Sequence, residues 1–375
     1  MSRGRFLQPV AASRQYGLTL VEVMVAMTIG IILLLALGTL FANSTRVFKV
    51  SDEFARMQEN GAFALHAIGS DLRQAGFYGL ITSTDVQMPV AIVVTDDCGA
   101  DWAVNVAQPL FGMHGLTDSA AHTALGCINA ANFISTSTDR PSFILVVRGA
   151  TGARVLPADL EAGTLYVQSD PNGGILFQGS QFASLGKPPR RELLSVPSAP
   201  LYAPASGTLM DPIDAPIYPY QSRAYYLRPC ARPTGGTSDA PLCTATDDGG
   251  QPIPTLVRQE LVGTRMRERA VAEGIEAVRI LYGIDTNNDG VADPPLTETP
   301  TATQFAQVVT VRVSLLVRSP RPSNGYSDAT RRYDLDGDGA AELNCADAGL
   351  PCNYHRHVFT QTFQVRNSAQ RFESS

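Results

Sequence analysis

The amino-acid sequence predicts an α+β fold in which one long N-terminal helix packs on an antiparallel β-sheet, with long cysteine-bearing loops. Three observations predict it: an apolar run over residues 18–42, a helical stripe over 43–76, and strands of alternating polarity in the last third of the chain. At about 1.5 Å per residue, a 25-residue helix spans roughly 37 Å, more than the ~30 Å hydrocarbon core of a bilayer. The first half of the helix is therefore long enough to cross a membrane.

The composition is that of a globular protein. The chain has 375 residues, 44% of them hydrophobic and 17% charged, which allows a sizeable core in one or two domains. The formal net charge is −6, and no basic run is long enough to suggest a nucleic-acid footprint. We expect no nucleic-acid partner.

The N-terminus carries three arginines, then Gly17, then the apolar run with Glu22 inside it. The run exceeds the roughly 7–15 apolar residues of a signal peptide, and no small-residue cleavage site follows it. A plain signal anchor accounts for a single membrane crossing with the basic residues inside. It does not account for Glu22, because an acid costs about 2.5–3.5 kcal/mol at the centre of a membrane helix and by default marks a functional site.

The stretch from Gly17 to Glu22 (GLTLVE) resembles the class III signal of type IV pilins and pseudopilins. The resemblance implies that a prepilin peptidase cuts after Gly17 on the cytoplasmic side and methylates the new N-terminus at Leu18. Glu22 then becomes the fifth residue of the mature chain, as in the family. Leu18 departs from the usual phenylalanine but is also large and apolar. An uncleaved anchor remains the alternative.

The implied organisation has four segments. They are a cleaved leader (1–17), a transmembrane and assembly helix (18–42), an amphipathic continuation of the helix (43–79) and a periplasmic β-rich domain (80–375). This is the lollipop architecture of pilins. Glu22 can pair with the terminal ammonium of its own or a neighbouring subunit, because opposite charges attract strongly in low-dielectric surroundings. Such pairing favours ordered stacking of helices in a filament.

The second half of the helix carries one apolar stripe. Its members recur at spacings of three and four, which predicts core packing: Phe54, Met57, Gly61, Leu65, Ile68, Leu72 and Ala75. The charged residues between them, including Asp71, are predicted to be solvated, and Gly76 and Gly79 to end the helix. Segments 58–65 (QENGAFAL) and 71–79 (DLRQAGFYG) resemble PilW-type minor pilins, as do segments 273–278 and 358–367 near the C-terminus.

The body is predicted to be rich in strands. The clearest strands before residue 250 are 143–147, 164–167 and 224–227, and a stretch with eight prolines over 187–220 suggests an irregular loop. In 308–318, apolar and polar residues alternate, which predicts a half-buried antiparallel strand. Residues 278–282 and 359–366 alternate similarly. We expect these three strands to form a sheet against the amphipathic half of the helix.

The six cysteines all follow the apolar helix, and none has the close spacing of a zinc or redox site. An even number in loop-like surroundings predicts disulfides in an oxidising compartment. The simplest pairing joins sequence neighbours: Cys98–Cys127, Cys230–Cys243 and Cys345–Cys352. Other pairings, and reduced buried thiols, remain open alternatives.

Two acidic turns resemble calcium loops in the order of their oxygen ligands. The first offers Asp285, Asn287, Asp289, the carbonyl of Val291, and Asp293; the second offers Asp334, Asp336, Asp338, the carbonyl of Ala340, and Glu342. Neither has the bidentate Glu at the twelfth position, which is Leu296 in the first loop and Cys345 in the second. The alternative is an Asx-rich turn, where Asp, Asn and Gly recur for backbone reasons. Calcium is therefore a candidate ligand, and no cofactor is required.

The sequence shows no nucleophile elbow, phosphate-binding loop or zinc-protease motif, so we do not expect an enzyme. The PilW-type resemblance implies a minor pilin that helps to prime or cap a type IV pilus and supports twitching motility and attachment. Its implied partners are other minor and major pilins, the prepilin peptidase and the inner membrane, with the body in the periplasm and later on the pilus. The alternatives are a calcium-dependent adhesin or docking module at the pilus tip and a J-like pseudopilin of a type II secretion system.

Overall fold

The computed structural model describes residues 17–81, 86–137, 140–170, 173–183, 185, 215–237, 241–341, 343–365 and 367. Three parts of the sequence predictions lie outside these residues: the leader before Gly17, most of the proline-rich stretch, and Glu342. The chain divides into two compact units, with the boundary between Phe54 and Ala55. The α+β fold class is confirmed, with one long N-terminal helix and a β-rich body.

The long helix α1 is Leu20–Gln74. It begins two residues after the start of the predicted apolar segment, because the side chain of Thr19 caps its first turn. It ends before the predicted boundary at residue 79. At that end Gly76 adopts φ +70°, and its N–H donates to the carbonyl of Arg148 at 2.9 Å. This bond replaces the intrahelical bond and turns the chain out of the helix.

Residues 57–72 of α1 supply the helix's buried face. The buried residues are Met57, Gly61, Ala64, Leu65, Ile68, Gly69, Asp71 and Leu72. The predicted stripe is therefore correct from Met57 onward, whereas Phe54 stays 39% exposed. The prediction that Asp71 is solvated is wrong, because its side chain bonds a strand of the body.

The body contains sixteen strands in its described part. They are β1 (Val86–Gln87), β2 (Leu110–His114), β3 (Phe143–Ala150), β4 (Leu165–Asp170), β5 (Gly173–Gln178), β6 (Ile217–Arg228), β7 (Gly235–Gly236), β8 (Pro241–Leu242), β9 (Thr255–Val262), β10 (Arg265–Glu273), β11 (Ile275–Ile284), β12 (Asp293–Thr297), β13 (Val308–Arg318), β14 (Arg332–Tyr333), β15 (Leu343–Asn344) and β16 (Arg356–Gln364). A second helix, α2, is Asp118–Ala124, and Asp247–Gly250 is a helical turn.

The larger sheet has eight strands. Its main path is β1-β5-β4-β6-β3-β2, and β9 pairs with β6 and carries β10 beyond it. The three strands predicted before residue 250 all belong to this sheet, as β3, β4 and β6. The other five strands were not predicted: β1, β2 and β5 have only two to six residues, while β9 and β10 have eight and nine.

The smaller sheet has the order β12-β11-β13-β16, and its pairings are antiparallel. In its register Val311 lies opposite Tyr282 on one side and Phe363 on the other. All three residues belong to the main core together with the buried face of α1. The expected sheet of three strands against the helix is therefore present, with β12 added at one edge.

Strand β13 is buried on both faces over its second half, so the expectation of a half-buried strand is wrong there. Leu316 points into a separate cluster with Tyr333, Leu335 and Leu343. These residues come from the segment that holds β14 and β15. In the alternation of 308–318, Leu316 is an apolar residue at a position where a polar one is expected. This exception is the sequence signal of the second core.

Candidate functional site

The segment from Gly17 to Glu22 leads into the first turn of α1. Gly17 and Leu18 have no regular secondary structure, and Leu18 is 78% exposed. No described atom lies within 4 Å of the position that a Cβ on Gly17 would occupy. Among the described residues, no packing contact therefore requires glycine at this position.

Glu22 forms a capping box with Thr19. The Thr19 N–H and hydroxyl donate to Glu22 Oε2 at 3.3 and 3.2 Å, and the Glu22 N–H donates to Thr19 Oγ1 at 3.3 Å. Two backbone donors of the first turn are thereby satisfied, and the carboxylate lies at the positive end of the helix dipole. Thr19 is a capping residue of this segment that the sequence reasoning did not identify. The Thr-x-x-Glu pattern ahead of an apolar run was its signal.

The apolar half of α1 is uncovered. None of its most hydrophobic 18-residue window, with a mean hydropathy of 2.7, is buried, and the helix is long and apolar enough to cross a membrane. Large apolar side chains between Leu18 and Phe48 are exposed, from 38% at Val23 to 78% at Leu18. Exposed apolar surface of this extent marks a site of contact with lipid or with other proteins.

The buried half of α1 is held close to β16 by two glycines. A Cβ on Gly61 would lie 2.7 Å from the ring of Phe359, and one on Gly69 would lie 2.1 Å from the ring of Phe363. These distances are below any van der Waals contact, so only glycine permits this approach of helix and strand. Nearby, the Asn60 side chain donates to the Glu273 carbonyl at 3.0 Å.

Asp71 is the buried acid of α1, only 1% exposed. Its Oδ2 accepts a 2.5 Å hydrogen bond from the Tyr225 hydroxyl, and its Oδ1 is paired with the Arg223 guanidinium. Burial and then the neighbouring Asp71 carboxylate raise the pKa of Tyr225, so the phenol stays a hydrogen-bond donor. Both partners lie on β6. This cluster joins α1 to the larger sheet by charge-assisted bonds.

A second buried ion cluster lies in the C-terminal part of the body. Arg356 Nε donates to Glu276 Oε2 at 2.5 Å, and its Nη1 donates to both oxygens of Asp328 at 3.0 and 2.9 Å. Tyr333 also donates to Asp328, at 2.9 Å. All of these side chains are buried. Glu276 lies on β11, Tyr333 on β14 and Arg356 on β16. The cluster therefore ties the smaller sheet to the segment between β13 and β16, which also contains Asp328.

The cysteines form three disulfides between sequence neighbours: Cys98–Cys127, Cys230–Cys243 and Cys345–Cys352. The structure contains no free cysteine. Each disulfide closes a loop of the body, so the irregular segments between strands are covalently anchored. This pairing is the one that sequence proximity favours.

The first acidic loop uses its carboxylates to hold its own backbone. The fully buried Asp285 accepts from the N–H groups of Asn288 at 2.7 Å and Gly290 at 2.8 Å. Asp293 accepts from the Thr286 N–H at 2.8 Å and its hydroxyl at 2.5 Å, and these bonds lower the pKa of Asp293. The loop geometry is that of an Asx-rich turn.

The remaining predicted ligands of this loop bond to one another. Asn287 donates to Asp289 Oδ2 at 3.1 Å, and the Val291 N–H donates to Asp289 Oδ1 at 2.8 Å. Within the described chain, the acids of this loop do not bring three ligand atoms within 4.8 Å of one another. Calcium binding at this loop stays a prediction from the sequence.

The second acidic loop brings its carboxylates together. Asp334, Asp336 and Asp338 place one oxygen each within 4.8 Å of the others. Asp334 also accepts from the Gly337 N–H at 2.6 Å. Arg279 lies 3.6 Å from Asp336 and offsets part of the negative charge. Asp338 accepts from the Ala340 N–H at 2.7 Å, while Glu342 lies outside the described residues. Calcium at this loop also stays a prediction.

A cleft of about 440 Å³ lies beside the Cys98–Cys127 disulfide. Two of its polar side chains already bond within the protein: Asn132 donates to the Pro241 carbonyl at 2.8 Å, and Gln259 donates to the Cys127 carbonyl at 3.0 Å. The acid at its wall, Glu268, is paired with Arg228 at 2.5 Å. These groups stabilise the cleft walls, and their geometry does not form a nucleophile and base pair.

Comparison with known proteins gives two family matches at opposite ends of the chain. Residues 243–367 match the model described as type IV pilus-assembly protein W, and residues 12–38 match the prokaryotic N-terminal methylation motif. Among solved structures, a type IV-like pilin from Thermus thermophilus aligns with 55% of this chain and 83% of its own, at 11% identity and a TM-score of 0.20. A score this low carries no argument about the fold. No curated protein matches the sequence.

Proposed function

We propose that this chain is a minor pilin of type IV pilus assembly and that it works in the complex that primes or caps the filament; the two family matches support the proposal. In this proposal the prepilin peptidase removes the leader at Gly17, and α1 then leaves the inner membrane to pack with other minor and major pilins. The body lies in the periplasm before assembly and on the pilus afterwards. Through the pilus, the subunit supports twitching motility and attachment.

The apolar half of α1 carries the proposal. It has no covering within the described chain, and its first turn contains an acid, Glu22. In the described residues, the Glu22 carboxylate bonds only to Thr19. Lipid covers the apolar side chains of such a helix, but it offers no counter-charge for Glu22. The terminal ammonium created by cleavage before Leu18 supplies that charge, on the same subunit or on a neighbour. Helix packing in a filament then satisfies the apolar surface and the acid together.

The first step of the proposal is tested at the processing site. The full chain is produced together with a prepilin peptidase, and its N-terminus is read by mass spectrometry. We expect a methylated N-terminus at Leu18 for the native chain and an intact leader for Gly17→Val. Gly30→Val is the matched control, since Gly30 also has no described atom within 4 Å of a Cβ. A native chain that keeps its leader, or a Gly17→Val chain that is cut normally, contradicts the proposal.

The second step is tested in sheared pili. A piliated cell that carries the tagged native chain should release a small amount of it with the filaments, and its deletion should reduce piliation and twitching. Recovery of the processed chain with a secretion pseudopilus instead would favour the pseudopilin alternative. Normal piliation without the chain, together with its absence from the filaments, would contradict the role in assembly.

A further inference from the structure

Strand β16 has one edge without a partner strand in the described part of the chain. Its other edge pairs with β13 along its whole length, from Arg356 opposite Arg318 to Gln364 opposite Thr310. At the two ends of this ladder, the Val365 N–H donates to the Val309 carbonyl and the Ser319 N–H donates to the His355 carbonyl, both at 2.8 Å.

These end bonds fix which backbone groups of β16 face outward. In an antiparallel pair, bonded and non-bonded residues alternate, so the odd-numbered residues from 355 to 365 bond β13. The even-numbered residues direct their N–H and C=O groups to the free edge. Besides Arg356, whose side chain is buried at the start of the strand, they are Val358, Thr360, Thr362 and Gln364. The four residues after Arg356 match a partner strand of about five to seven residues.

The free edge is exposed and uncharged. Thr360, Gln361, Thr362 and Gln364 are exposed, and no Asp, Glu, Lys, Arg or Pro occurs between His357 and Gln364. Proteins usually protect an edge of this length with charged side chains, proline or bulges, because unpaired backbone groups are a template for another strand. From His357 to Gln364, the edge of β16 has none of these protecting residues.

The other long edges of the body are protected. At the opposite edge of the same sheet, β12 contains Pro294 and Pro295, which cannot donate ladder bonds. At the edge of the larger sheet, β10 has five charged residues among its nine. Thr95 also bonds to the start of β10: its carbonyl accepts from the Met266 N–H at 3.0 Å. The remaining edge strands of the larger sheet, β1 and β2, have only two and five residues. Among the longer edge strands, β16 is the one that is left open.

We propose that the free edge of β16 binds an extended, uncharged strand of a different pilin subunit, which continues the smaller sheet across the subunit boundary. The inference rests on the proposed function for the existence of that neighbour. A backbone edge selects an extended segment, and the threonine and glutamine side chains of β16 select a partner strand without charge.

A second copy of the chain is a poorer partner than a different subunit. The contacts of Gly61 with Phe359 and of Gly69 with Phe363 show that α1 and β16 run in the same direction. Antiparallel pairing of two β16 strands would therefore set these helix segments in opposite directions. The protected edges of β10 and β12 offer no alternative strand on a second copy, and β1 and β2 are shorter than β16. A parallel pair of β16 strands would form the less stable ladder. We therefore assign the partner strand to a subunit with a different sequence.

The decisive variant is Thr362→Pro. It removes one outward N–H and places a ring at the free edge, while every bond to β13 is kept because residue 362 does not bond inward. Thr362→Val is the matched control, since it retains the N–H and favours a strand. In a piliated cell we expect at least a tenfold lower content of the Pro variant in sheared pili, with the Val variant at the native level. Equal content of a folded Pro variant would overturn the proposal.

Hydrogen exchange on the native full chain covers the case in which Thr362→Pro does not fold. We expect the outward amides of Val358, Thr360, Thr362 and Gln364 to exchange about tenfold more slowly in detergent-solubilised complexes with other pilins than in the chain alone. Unchanged exchange in a complex that does form would overturn the β16 proposal while leaving the proposed function intact. Failure of the native chain to join any pilin would overturn both. Protection in the chain alone that is lost on dilution would identify a second copy and overturn the assignment to a different subunit.

Discussion

Two acids on α1 differ in where their partners lie. Asp71 is buried, and β6 of the same chain provides its partners, the Arg223 guanidinium and the Tyr225 hydroxyl. Glu22 lies in the exposed apolar half, and among the described residues only Thr19 bonds it. Asp71 therefore belongs to the fold of the body, whereas Glu22 has no partner in the described part of the body. In the proposed function, the same helix is a folding element at one end and an assembly element at the other.

The glycines of α1 show the same division. Gly61 and Gly69 meet phenylalanine rings of β16 at distances that exclude a Cβ, whereas Gly30 and Gly38 have no described atom within 4 Å. The first pair is therefore required by packing inside the subunit. The second pair has no such requirement in the chain itself. Substitutions at matched positions in the two halves should separate stability from assembly.

The largest loss of stability is expected for Asp71→Ala. The substitution removes the short bonds of Asp71 to the Tyr225 hydroxyl and to the Arg223 guanidinium. These groups keep longer contacts, such as Tyr225 with the Ala67 carbonyl at 3.5 Å and Arg223 with Glu260 at 4.0 Å, so the free energy of unfolding should fall by about 2–3 kcal/mol. Glu59→Ala, at an exposed position on the same half of α1, should change it by less than about 0.5 kcal/mol. Denaturant unfolding of the detergent-solubilised full chain measures both. Equal stability of the two variants would refute the assignment of Asp71 to the fold.

Gly69→Ala should have the next largest effect. The added Cβ forces the Phe363 ring and β16 away from the helix, and overpacking of this kind costs about 1–3 kcal/mol. Gly30→Ala should leave the unfolding of the body unchanged. The melting temperatures of the two full-length variants provide the measurement. A Gly69→Ala chain as stable as the native one would mean that helix and strand are not in close contact.

Calcium should have a smaller effect, through the second acidic loop. If its converging carboxylates bind Ca²⁺, free Ca²⁺ at ten times Kd should stabilise the body by about 1.4 kcal/mol. Asp338→Asn should remove most of this gain, since it takes away one charge of the three-carboxylate group. Thermal melting with Ca²⁺ and with chelator measures the gain. No shift of the native chain would rule out a calcium site at this loop.

Features set by local sequence could be predicted. The apolar run and the Gly17–Glu22 pattern indicated the uncovered half of α1, and alternation indicated β13 and β16. The capping box of Thr19 and Glu22 was also readable, because its two residues are three positions apart. Each of these depends on neighbours in the sequence, so its pattern is visible without the fold.

Features set by distant contacts could not be predicted. The sequence gives Asp71 a polar position on an amphipathic helix, and only the fold brings it to Arg223, which is 152 positions away. The second core around Leu316 likewise needs the segment that holds β14 and β15. Five strands of the eight-stranded sheet were missed for the same reason, since they are defined by pairing with distant segments more than by alternation.

The central claim, that Glu22 serves assembly and not the fold of the subunit, is tested most directly by Glu22→Ala in a piliated cell. The chain should be cleaved and inserted as the native chain is, and its body should melt at the native temperature. Its content in sheared pili should fall at least tenfold, which corresponds to about 1.4 kcal/mol of lost association free energy. Native content of the Glu22→Ala chain in the pili would contradict the account.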